Sequence, residues 1–135
     1  MSSFKIFDIA GSGMSAQSVR LNTVASNLAN ADSVSGDPNN VYRARHPVFQ
    51  AVIGGELSSA SVSVTGIAQS QAAPETRYDP GNPLADAQGN VFAPNVNVVE
   101  EMADMISASR SYQNDVEVLN TSRDMMLATL KLGQS

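Results

Sequence analysis

The chain has 135 residues, only 16% of them charged, with a net charge of -5 and a pI near 4.6. At this length one compact domain is the default, and the acidic balance argues against nucleic acid or an anionic membrane as the principal partner. Cysteine is absent, which removes disulfides, thiolate chemistry and Cys-based metal sites. No run approaches the ~20 apolar residues of a membrane span. No basic stretch followed by an apolar core marks a Sec-type signal peptide, so export would have to use another route.

Residues 4–31 carry a heptad pattern in which Phe7, Met14, Leu21 and Leu28 recur every seven positions. Phe4, Gly11, Ser18 and Ala25 are expected to fill the alternate seam position and let a facing helix come close. Gly11 and Gly13 each cost about 1 kcal/mol against Ala in a helix interior. Only Lys5, Asp8 and Arg20 are ionic between Phe4 and Ala31. Such a helix is expected to order only when packed on another.

The segment 32–40, DSVSGDPNN, reads as a loop. Residues 41–53 read as an edge strand or two short strands interrupted by Pro47, and Gly54-Gly55 turns the chain. Val62 and Val64 alternate with Ser in 61–68, a short half-buried strand. Residues 69–76 read as loop, and a hairpin turn is expected at Gln88-Gly89-Asn90. This β-rich insert has few large apolar groups and promises a minor satellite core.

The stretch from about Pro94 to Gly133 holds the longest pattern. One seam position carries Val98, Met105, Tyr112, Leu119 and Met126; the alternate carries Met102, Ser109, Val116, Arg123 and Leu130. The three-and-four spacing is that of a helix facing another helix. Asn97 with Glu100 three residues on is a variant capping box. Glu100 and Glu101 suit the positive helix end and Lys131 the negative end. A helix from Val98 to Lys131 is ~50 Å long, so it needs a partner. The predicted fold is mainly α with a small β insert: heptad helices at the two ends pair as a coiled-coil-like hairpin, and the insert projects from the far end of the pair. Segments 1–33, 34–96 and 97–135 are the expected divisions. Val99, Ile106 and Leu127, and on another face Val118, Met125 and Leu132, are surplus to one partner. They point to burial between subunits, or to an insert folded back over them.

Little supports catalysis or cofactor binding. His46, the sole histidine, precedes Pro47 with no second ligand in pattern. Glu100, Glu101 and Asp104 are explained by helix capping and dipole. The glycines give no phosphate-loop spacing, and the methionines read as soft packing residues. Arg123 is the one charge at an expected seam position.

The run Ala25-Ser26-Asn27-Leu28-Ala29-Asn30-Ala31 resembles the N-terminal signature of the bacterial flagellar axial proteins, the rod, hook and hook-associated family. Ser33 stands where that signature has Thr, and its aromatic-basic pair comes later, as Tyr42-Arg43. Residues 78–134, including Asn95, Asn97 and Glu100, are similar to the C-terminal region of proximal-rod members. The resemblance implies a structural subunit of the proximal rod, with terminal helices in an inner tube and disordered in the free subunit. It implies export by the flagellar type III apparatus without a cleaved signal. The partners implied are B-, F- and G-type rod subunits, the hook-basal-body adaptor, and copies of the chain itself. The export element of a Phe followed four residues on by an apolar residue is not matched, since Asp8 and Gly11 follow Phe4 and Phe7. The competing reading is a self-contained helical-hairpin adaptor or secretion-chaperone-like module. It is disfavoured by the uncharged residues that flank the seams.

Overall fold

The computed structural model describes residues 3–54 and 60–133. Two long helices, α1 (Ser3–Asn30) and α2 (Val98–Leu132), enclose four strands in sequence: β1 (Arg45–Ile53), β2 (Ala60–Gln69), β3 (Glu75–Tyr78) and β4 (Asn90–Ala93). The strands form two separate antiparallel pairs, β1 with β2 and β3 with β4. Both terminal helices fall where the heptads place them. Asn97 caps α2 through its side-chain oxygen, which accepts from the N–H groups of Val99 and Glu100 at 3.2 and 3.3 Å. At the other end the Gly133 N–H donates to the Thr129 carbonyl.

The two helices run antiparallel. Gly13 of α1 meets Asp115 of α2, Arg20 meets Asp104, and Asn27 meets Glu101. Phe7, Met14, Leu21 and Leu28 of α1, and Met105, Tyr112, Leu119 and Met126 of α2, are all half-buried. Val98, above the crossing, is exposed.

The alternate seam positions differ from expectation on both helices. Phe4, Gly11, Ser18 and Ala25 are exposed, and the buried residues of α1 are instead Ala10, Ala16, Thr23, Val24 and Asn27. On α2, Met102, Arg123 and Leu130 are exposed and Ser109 and Val116 are half-buried, while the fully buried residues are Glu101, Ala108 and Ser122. The face is rotated by one residue because small side chains win the contact. A Cβ on Gly13 would lie 2.6 Å from Asp115 Oδ2, so the helices touch there nearly backbone to side chain. Small residues such as Ala10, Ala16, Ala108 and Ser122 are therefore among the most buried, and the larger side chains stay half-buried.

The β1–β2 hairpin does not project from the end of the pair. It lies back along α1: Arg45 is held at Asn27, and the Val62 N–H donates to Ser12 Oγ at 3.1 Å. Its register runs from Arg45 opposite Gln69 to Ile53 opposite Ala60, with an irregularity at Val48/Phe49. Pro47 is tolerated because β1 has a strand neighbour on one side only. Val62 is exposed, against the expected half-burial, while Val64 is half-buried. Of the Gly54-Gly55 turn, Gly54 ends β1, and Gly55 lies outside the described residues.

The strand β3 begins within the segment expected as loop, at Glu75. The expected hairpin turn at Gln88-Gly89-Asn90 is instead the end of a longer connection, 79–89, in which the Gly89 N–H donates to the Asp86 carbonyl and Asn90 already opens β4. Gly89 has φ +80°, and a Cβ there would meet the Tyr78 ring at 3.0 Å, so only glycine fits. The satellite core is Val91 and Ala93 with Val41 and Ala44, all buried. Phe92 exchanges backbone hydrogen bonds with Ser35, which places the start of α2 beside the end of α1.

The two helix glycines should separate on mutation. Gly11→Ala meets nothing within 4 Å and should raise stability by about 0.5–1 kcal/mol. Gly13→Leu must displace Asp115 and should lower it by roughly 1–3 kcal/mol. Urea unfolding followed by helical circular dichroism checks both, and equal effects at the two sites would refute the close approach.

Candidate assembly interface

Asn27 sits where α1, the start of β1 and α2 converge, and it is 0% exposed. An amide side chain offers two donors and two acceptor lone pairs, and here all four are used. Nδ2 donates to the Arg45 carbonyl at 2.9 Å and to Glu101 Oε1 at 3.0 Å. Oδ1 accepts from the Arg45 N–H at 2.9 Å and from the Tyr42 hydroxyl at 2.8 Å. A second hydroxyl contact joins Tyr42 to Ser26 Oγ at 3.0 Å. The Arg45 guanidinium lies 5.5 Å from the Tyr42 ring centroid, within cation–π range.

The other signature residues divide between positioning and local roles. Asn30 donates to the Ser26 carbonyl one turn back, and its own carbonyl accepts from Ser33 N and Oγ. Ser33 therefore closes α1 with the hydroxyl that a Thr would also supply. Leu28 is half-buried. Asn95 is exposed and reaches the Ala73 carbonyl at 3.4 Å, a long bond. Asn97 and Glu100 act in the α2 cap, and the Glu100 side chain is exposed. Tyr42 and Asn27 are therefore brought together by the fold, while Asn95, Asn97 and Glu100 are not part of that node.

Sequence reasoning missed Glu101, Arg45, Arg20 and Asp104. Glu101 was assigned to helix capping and dipole, yet it is 6% exposed and bound to Asn27. The missing signal is three-dimensional, because the two residues are 74 positions apart. Arg20 Nη2 and Asp104 Oδ1 form a 2.8 Å ion pair between the helices, partly exposed and so of modest worth. Arg123 is exposed and pairs with its neighbour Asp124 at 3.3 Å.

The outward face of α2 is apolar at both ends. Val99, Met102 and Ile106 are exposed near its start, and Met125, Leu127, Leu130 and Leu132 near its end. Val118, on the second expected interface stripe with Met125 and Leu132, is exposed as well. The insert leaves these residues open because the hairpin lies on α1. The register also makes α2 overhang. Gly13 lies at Asp115, so Ser3, ten residues back, lies near Met125, ten residues on. The last turns of α2 pass the described start of α1 by ~10 Å. Exposed apolar side chains gathered at a helix end in this way suit contact with another protein.

Comparison with known proteins covers the same elements. Residues 7–36 match a family described as "Flagella basal body rod protein", and residues 87–132 match "Flagellar basal body rod FlgEFG protein C-terminal". The chain is 56% identical over 134 residues to the flagellar basal-body rod protein FlgC of Escherichia coli O157:H7, covering 99% of this chain and 100% of that one. It is 55% identical to the FlgC of Salmonella typhimurium and 35% identical to that of Buchnera aphidicola subsp. Baizongia pistaciae, again across 99% of this chain and 100% of each relative.

Replacing Asn27 with Ala takes the Asn27 partner from the Glu101 carboxylate and the Arg45 peptide at once and leaves the Tyr42 hydroxyl with Ser26. The expected loss is about 3 kcal/mol or more, read from the urea midpoint. Tyr42→Phe removes one partner and should cost about 1 kcal/mol. A loss under 1 kcal/mol for Asn27→Ala would show that the node does not hold the helices.

Proposed function

The chain belongs to the flagellar basal-body rod protein family, and we propose that it is a proximal-rod subunit whose α2 surface docks neighbouring subunits. It is a structural subunit of the rod and not an enzyme. The observation that carries the docking reading is the exposed apolar surface of α2, with Val99 76% and Met125 66% exposed. A self-standing adaptor would cover or solvate these residues; a rod subunit buries them against its neighbours.

In this reading residues 1–33 and 97–135 form the inner tube domain and residues 34–96 the outer insert. Neighbours are copies of this chain, B-, F- and G-type rod subunits, and the hook-basal-body adaptor. The family resemblance supports delivery by the type III export apparatus and a place in the periplasmic rod. Absent cysteine and a weakly charged, glycine-bearing α1 suit a chain that is threaded unfolded and orders on docking. No helix among the described residues is long and apolar enough to cross a membrane. The mechanism is mechanical. Many modest contacts add along a tube, torque passes through packed helices, and the Asn27 node ties the insert to them so that both turn as one body.

Met125→Asp and Leu130→Asp place a charge on the α2 tail, away from the α1–α2 seam. Both variants should be exported and should abolish rod incorporation and motility, with the folded stability within about 0.5 kcal/mol of the parent. Leu119→Asp should lose incorporation and stability together. Normal rods bearing Met125→Asp and Leu130→Asp would defeat the docking reading.

A further inference from the structure

The seam between α1 and α2 has a degeneracy that its apolar residues cannot resolve. Both helices repeat every seven residues, so sliding α2 by one heptad, about 10 Å, returns an equivalent apolar set to the seam. In the slid arrangement Asn27 would face Ala108 and Gly13 would face Ser122. Both Ala108 and Ser122 are small and already buried, so neither obstructs the slide. The slide would also bring the exposed turns carrying Met125, Leu127 and Leu130 alongside the first turns of α1. The link from β4 to α2 is short. That link is residues 94–97, and four residues reach ~13 Å when extended.

We propose that Glu101, through its bond to Asn27, is the residue that selects the observed register and so keeps the α2 tail uncovered for assembly. The second clause rests on the docking reading above; the first does not. Sliding α2 would take the Glu101 carboxylate away from Asn27 Nδ2, the donor it meets at 3.0 Å inside the seam. It would also part Arg20 from Asp104. A buried polar residue that fixes helix register at a cost in stability is a well-attested use of such groups. Asn27 is itself anchored to Arg45 from the other side by two bonds. The reference point for α2 is therefore fixed to the β insert as well as to α1.

The cysteine-free chain allows the register to be read by engineered disulfides. Gly13→Cys with Asp115→Cys reports the observed register, since a Cβ at position 13 lies 3.1 Å from Asp115 Cγ. Gly13→Cys with Ser122→Cys reports the slid one. The full chain is oxidised in solution, and intrachain bonds are scored by gel mobility. With Glu101 present, the 13–115 bond should exceed the 13–122 bond by about tenfold or more. Glu101→Leu should lower that ratio about tenfold, and Glu101→Gln, which keeps an acceptor for Asn27, should restore it. A ratio unchanged by Glu101→Leu overturns the proposal and assigns register to the link. Failure of both bonds in every variant overturns it too, because the helices then do not pair within one chain. Rod incorporation, measured separately, judges the docking reading, so the two can fail independently.

Discussion

A single buried amide organises the subunit. Asn27 uses its whole hydrogen-bonding capacity to join the helix that carries it to Tyr42, to the start of β1 and to Glu101 of α2. Burying a polar group without partners costs a few kcal/mol, so the three elements are stable together and poor in pairs. The chain supplies little else of comparable specificity. Its helix seam is closed by Ala and Ser, its insert is two separate strand pairs, and its inter-helix ion pair is partly exposed.

Much of the architecture was legible in the sequence, and the reasons are local. Heptads in 4–31 and 98–131 gave two helices that differ from the observed ones by one residue at their ends. Asn97 announced its cap and Gly89 its turn, because caps and left-handed turns depend on a few adjacent residues. The apolar surplus at Val118, Met125 and Leu132 was also visible as a pattern, and these residues are exposed in the subunit. The signature Asn27 could be flagged by resemblance, but its work could not be read from the helix that carries it.

What failed was the second half of each seam and the place of the insert. Hydrophobic periodicity expects large side chains in a seam and favours Met102 over Glu101, and Phe4 and Gly11 over Ala10. A close crossing at Gly13 reverses that preference, because separation between backbones is a tertiary quantity. Glu101 looked like an ordinary N-terminal acid for the same reason: its partner lies on the other long helix. The insert is expected to project because the terminal helices pair with each other and leave it at the far end of the pair. It lies along α1 because Arg45 is pinned at Asn27 and the edge of β2 finds a donor-acceptor site at Ser12.

The account holds that the inward face of α2 is satisfied within the chain and that its outward apolar residues are completed by neighbours in the rod. The chain's own methionines divide along that line. Met102 and Met125 are exposed, whereas Met14, Met105 and Met126 are half-buried in the seam. The most direct measurement is peroxide oxidation of each methionine, followed by mass spectrometry, in the free chain and in isolated rods. The account predicts that Met125 oxidises readily in the free chain and is protected at least about tenfold in the rod, where water and peroxide are excluded from a packed interface. Met125 oxidised as fast in the rod as in the free chain would contradict it.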